Sequence, residues 1–213
     1  MAPSLHEIWL QRLDAAAASR LKRAQWPVPP SHAPAWIEGF RDDVGHRRPV
    51  DPAFLSHLCG VPLTSKHPMA TSDVVLWEQL ASGVPDAGVI QPLLDSHAPS
   101  LAMSCREMGI EIWTETELAS LHALSWLGDG YRPRLHEAAA FVMAELQPDN
   151  GTNHPWGIHW FAHVESTTGD RYAGMYAETL LLNAVSNGGV PDLFSALILA
   201  DAANWLRQHP VRA

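Results

Sequence analysis

Residues 151–165 read GTNHPWGIHWFAHVE: three histidines and two tryptophans within fifteen positions, and one charged side chain at the very end. Imidazole is the side chain whose ordinary titration lies closest to neutral pH, so it can give or take a proton there. Indole supplies a broad apolar face and one N–H donor. Together they suit an aromatic-walled pocket with a few convergent polar groups, the usual make-up of a small-molecule site. At about 100° per residue, Trp156, Trp160, Val164, His159 and His163 share one side of a helix. Ile158, Phe161 and Ala162 take the other side, leaving little for water. The next helical stretch, 171–187, is apolar nearly all round and is expected to be enclosed. Its Glu178 is therefore informative, because a carboxylate among apolar groups must be paired, protonated or turned toward a polar cavity.

These residues define a candidate site. Glu178, His159 and Tyr176 are the candidate proton-transfer groups. Asn153, His154, Trp156, Trp160, His163 and Tyr172 are the candidate ligand contacts, with the tryptophans as a platform for the C–H-rich face of a sugar. Two other readings compete. The histidines are core groups satisfied by backbone and neighbours, in a non-catalytic helical module that holds a protein partner. Alternatively His159 and His163, at i and i+4, share a Zn²⁺ with Glu178, His154 or His122 as third ligand, although the chain has no HExxH motif. It also lacks a Gly-x-Ser-x-Gly elbow and a phosphate-binding glycine loop, and no cofactor is expected.

The elements that must position these groups are helical. Ser4 and Glu7 form a capping-box pattern ahead of a stripe running through Trp9, Leu13 and Ala17, and Trp26-Pro27 stops that helix. Eight prolines interrupt residues 27–70, giving an irregular wrap anchored by Trp36, Phe40 and Phe54, with short helices near 35–41 and 51–58. Further helices are expected near 73–82, 87–94, 98–109, 114–127, 133–146, 155–165, 171–187 and 191–208, with Thr114 and Glu117 as a second capping box. No strand pair is evident. The fold class is all-α, with stacked antiparallel helical hairpins. The organisation is residues 1–70 (first helix and proline-rich wrap) and residues 71–213 (helical hairpins), in one unit.

Composition narrows the function. The net charge of −9 disfavours a phosphate backbone, so no nucleic acid is expected as a partner. No apolar run approaches the ~20 residues a bilayer requires, so no membrane partner is expected either. Two cysteines without metal or redox spacing suit a reduced, cytoplasmic setting.

The segment Asn153-His154 followed by Trp156 at a helix start, with Tyr172 and Tyr176 on the next helix, resembles the Asn-His…Tyr arrangement of α/α-toroid polysaccharide lyases. That architecture also includes hairpin-built glycosidases. The resemblance covers about residues 151–190. It implies a full or partial α/α toroid, and lyase or glycoside-hydrolase-like chemistry on a sugar-like ligand. Asn153 and His154 would then face a uronate carboxylate, and a Tyr/His pair would move the proton. The lyase arginine has no assigned counterpart here, and the net −9 runs against a polyanionic substrate.

Overall fold

The computed structural model describes residues 3–63, 71–96, 98–150, 154–186 and 188–211. Among these residues the fold is all-α, with no strand. The helices are α1 (Leu5–Arg23), α2 (Ala33–Gly39), α3 (Asp51–Cys59), α4 (Ser72–Ala81), α5 (Ala87–Ser96), α6 (Ile110–Trp126), α7 (Arg132–Glu145), α8 (Ile158–Thr168), α9 (Arg171–Val185) and α10 (Leu193–Gln208), joined in three places by short 3-10 turns.

Sequence neighbours pack together: α3 on α4, α6 on α7, α8 on α9. The most extensive contact, however, joins α1 to α10 across almost the whole chain. Trp9, Leu13 and Ala17 form the buried stripe of α1, and the Trp9 indole N–H donates to Glu165 of α8 at 2.7 Å. Arg207 of α10 pairs with Asp14 at the rim.

Local signals set several of these ends. Ser4 caps α1 through its hydroxyl, and Glu7 returns a bond to the Ser4 backbone. Gly60 closes α3 in the left-handed region at φ 61°, where glycine carries no Cβ penalty.

Four expectations are corrected. The stretch 98–109 is not an α-helix but leads into a 3-10 turn over Met103–Met108. Its backbone N–H groups at Leu101 and Ala102 instead donate to the Glu117 carboxylate, at 2.7 and 3.0 Å. For the same reason Thr114 caps nothing. α6 starts four residues earlier, and Glu117, fully buried, also accepts from Ser100 and from the Trp113 indole.

α8 begins at Ile158 rather than Pro155, because Gly157 stands at its N-cap with φ 72°. A Cβ there would meet Leu121 at 3.0 Å, and the Gly157 N–H donates to His122 Nδ1 at 3.3 Å. Helix and glycine are thus locked onto α6.

α9 is also not enclosed all round. Met175 is 64% exposed and Leu182 is 61% exposed, and Tyr172 also faces outward. The apolar count of this segment exceeded what its neighbours cover.

Candidate functional site

Where the sequence placed one pocket, the structure separates three environments. Trp156, His159 and Trp160 are fully buried. The Trp156 ring packs edge-on to Phe54 at 4.8 Å and close to Trp77 and Phe194. His159 Nε2 meets Ser125 Oγ at 2.7 Å, and its ring lies 4.2 Å from that of His122. His122 in turn donates from Nε2 to Asp201 at 3.0 Å, because its Nδ1 accepts from Gly157. Burial first, then the neighbouring imidazoles, hold His159 well below the ordinary histidine range. His163, half-buried, is stacked on Trp160.

Glu178 lies in the second environment, at the outer junction of α1 and α9. Arg12 grips both of its carboxylate oxygens. That hydrogen bonding, opposed by partial burial, holds Glu178 below its ordinary value. Of the three states open to Glu178, pairing is the one found; what is corrected is its enclosure, since the ion pair is half-exposed. Tyr176, by contrast, is buried against Phe161 and donates to the Leu146 carbonyl at 3.2 Å. The exposed Tyr172 bonds the Met143 carbonyl. Glu178, His159 and Tyr176 therefore have separate sets of partners. Asn153 lies outside the described residues.

The third environment is an open cleft of about 380 Å³ at the N-terminal end of α8, and of the candidate residues only His154 lines it. Asp42, Asp43, His46, Arg48 and Asp192 supply its other polar walls; Val44, Ala184, Val190 and Pro191 supply the apolar ones. His154 Nδ1 lies 2.7 Å from Glu115 Oε1, and its Nε2 lies 3.0 Å from an Arg48 nitrogen. A guanidinium can only donate. Nε2 is therefore the acceptor, and Nδ1–H points at Glu115. Phe194 supports both groups from below, with its ring 5.1 Å from the imidazole and the guanidinium 4.9 Å above it.

Around Arg48 the charges are layered. Asp42 accepts from Arg48 at 2.9 Å and from the backbone N–H groups of Val44 and His46. Burial works to raise Asp42, but these donors outweigh it and hold the carboxyl below its ordinary value. Asp51, deeper, accepts from the Arg48 N–H at 2.8 Å with one oxygen and leaves the other unpartnered. Burial pushes Asp51 up to about 6 against the pull of Arg48. Asp73 of α4, wholly buried and electrostatically coupled to Glu115, is likewise pushed up to about 6, chiefly by burial. Arg48 thus lies within 4 Å of three carboxylates, Asp42, Asp51 and Glu115, whose environments differ widely.

Sequence reasoning missed Arg48, Asp42, Glu115 and Asp192. They come from the proline-rich wrap, from the middle of α6 and from the cap of α10, and no local spacing connects them. The usable signal was the run His46-Arg47-Arg48 following Asp42-Asp43 in a segment otherwise held by aromatics.

Among the described residues no group of three or more His, Cys, Asp or Glu side chains is arranged to hold a metal ion, so His159 and His163 have no third ligand there. Among the described residues no helix is long and apolar enough to cross a membrane. No family model, no curated protein and no solved structure matches the chain. The likeness to α/α toroids rests on the quoted segment alone.

Proposed function

We propose that the cleft at His154 binds a small, hydroxyl-rich, carbohydrate-like molecule and acts on it by general acid–base chemistry. The observation that carries this reading is the His154 clamp: an imidazole oriented by Glu115 at Nδ1, with Nε2 as acceptor beside an arginine, on the wall of an open cleft. A carboxylate that holds Nδ1–H fixes the tautomer in which Nε2 is the base, and it stabilises the imidazolium once a proton arrives. A ligand hydroxyl reaching Nε2 takes the place of one Arg48 N–H, while the guanidinium keeps Asp42. Asp43 and Asp192 offer acceptors for further hydroxyls, and Val44, Val190 and Pro191 supply apolar contact. The acidic walls favour a neutral polyol over a polyanion, in keeping with the net charge of −9.

Calorimetric titration with a panel of neutral and uronate-bearing mono- and oligosaccharides tests this reading. At least one sugar should bind the parent protein. Its affinity should fall at least about tenfold in both Arg48→Ala and His154→Ala, and any turnover should vanish in His154→Ala. Glu178→Gln should leave both unchanged. Binding that survives His154→Ala, or no binding by any member of the panel, overturns the proposal.

A non-catalytic role in protein binding is favoured by a different surface. Tyr172, Met175 and Leu182 stand exposed at helical spacing on α9, and Leu5 and Ile8 stand exposed on α1.

A further inference from the structure

The cleft holds a second imidazole, His46, whose backbone is pinned while its ring is free. The Asp42 N–H donates to the His46 carbonyl at 3.0 Å, and the His46 N–H donates back to Asp42 Oδ1 at 2.7 Å. Gly45 completes this closed turn at φ 88°, in the left-handed region. The His46 ring lines the cleft, its side chain 72% exposed, and its Nδ1 lies 3.8 Å from Asp42 Oδ2.

That same Asp42 oxygen accepts from an Arg48 nitrogen at 2.9 Å, and the same nitrogen stands 3.0 Å from His154 Nε2. One aspartate oxygen and one arginine nitrogen thus link the two imidazoles along a single cleft wall. Each imidazole has a carboxylate beside Nδ1: Asp42 for His46 and Glu115 for His154. A carboxylate there supports a proton on Nδ1 and leaves Nε2 as the working nitrogen. The two rings differ in access. His154 is nearly buried, with Nε2 fixed as an acceptor, which is the state of a base. His46 faces water, from which an acid can be reprotonated after each cycle.

The carboxylates of the cleft are already engaged. Asp42 holds Arg48 and two backbone N–H groups, Asp43 is paired with Arg20, and Asp192 caps α10 through Ser195. Breaking a glycosidic bond generally calls for two carboxyl groups, one as acid and one as nucleophile or base. Moving protons on a sugar calls only for one base and one acid.

We propose, building on the sugar-binding reading of this cleft, that His46 is its second catalytic residue and that His154 and His46 together interconvert small neutral aldoses and ketoses. His154 Nε2 takes the proton from the carbon next to the carbonyl. The C–H electron pair becomes a carbon–carbon double bond, the carbonyl π pair moves to its oxygen, and that oxygen takes the proton of the His46 imidazolium. From the resulting enediol, His46 removes the proton of the other hydroxyl while His154 returns its own to the former carbonyl carbon. Both imidazoles end as they began, and the net charge of the cleft is the same at every stage.

The test is proton exchange in heavy water, followed by proton NMR of glucose, mannose, galactose, xylose, arabinose and fructose. The parent protein should replace with deuterium the hydrogen beside the carbonyl of at least one of these sugars, faster than buffer alone. His154→Gln and His46→Ala should each slow that exchange at least about 100-fold, the usual worth of a positioned acid or base. His46→Ala should keep its calorimetric affinity for the sugar, and its turn is unaffected because the bonds that close it are main-chain and Asp42 bonds. Added imidazole should restore exchange at least about tenfold in His46→Ala, because the vacated position is open to solvent, and not in His154→Ala. Exchange at the parent rate in His46→Ala, a loss there that imidazole does not restore, or no exchange with any of the six sugars overturns the proposal. Sugar binding that still depends on His154 would survive each of these results, so the two readings fail separately.

Discussion

The two ends of α8 treat imidazole in opposite ways. At its N-terminal approach, His154 has both ring nitrogens beside charged partners, Glu115 and Arg48, and it borders an open cleft. Within the helix, His159 and His163 lie among aromatic rings, each with Nδ1 buried and unpartnered. A histidine near an indole is therefore not by itself a sign of a working site. What distinguishes His154 is a second group that fixes its tautomer and a surface from which a ligand can approach.

The contrast extends to protons. His159 and His163 are held below the unfolded histidine value of 6.5, His163 at about 4. The folded protein there binds fewer protons than the unfolded chain, so stability falls as pH drops from 6.5 toward about 4. Asp51, beside Arg48, and the buried Asp73 of α4 are raised from 3.8 to about 6. The folded protein there binds more protons, so stability rises as pH drops from about 6 to 3.8. Over the same acid window, one region loosens the fold and the other tightens it.

Substitutions can separate the two regions. The largest effect is expected from Trp160→Ala, which leaves a cavity beside His163 and should cost about 3–5 kcal/mol in urea unfolding. His154→Ala should cost far less, because Arg48 and Glu115 already stand 3.7 Å apart and keep each other company. Equal losses in the two variants would erase the distinction. Next, Asp73→Asn removes a buried charge and should stabilise the protein at neutral pH by up to about 3 kcal/mol. It should also steepen the loss of stability below pH 6, since the tightening contribution disappears. A destabilised Asp73→Asn protein would mean that its ionised form has a partner essential to the fold. The smallest effect is expected from Glu178→Gln. Its pair with Arg12 is bidentate but half-exposed, so chemical denaturation should register at most about 1 kcal/mol of destabilisation.

Pairs of identical signals show what the sequence could reveal. Ser4 with Glu7 and Thr114 with Glu117 have the same i, i+3 spacing, yet only the first is a capping box. At the exposed start of α1 the carboxylate has no better offer than the nearby backbone. Glu117 is buried, and backbone donors from residues 101 and 102 reach it first. Helix type and approximate position were legible because periodicity is local; most helices fall within a few residues of their expected bounds. The candidate site was legible only at His154. Its partners sit at positions 42, 48 and 115, and tertiary packing alone brings them together. The expected burial of Glu178 failed for a related reason, since Arg12, 166 residues away, holds it at the surface.

The packing of α1 on α10 constrains how the molecule is made. Trp9 and Leu13 leave the ribosome well before α10, yet the helix that covers them ends at Gln208. Until translation has passed that point, a greasy amphipathic segment must wait uncovered, exposed to chaperones and to neighbouring nascent chains. A rearranged gene that joins the two helices through a short linker, and opens the chain elsewhere, would let them meet at once. Its product should gain speed of folding more than equilibrium stability.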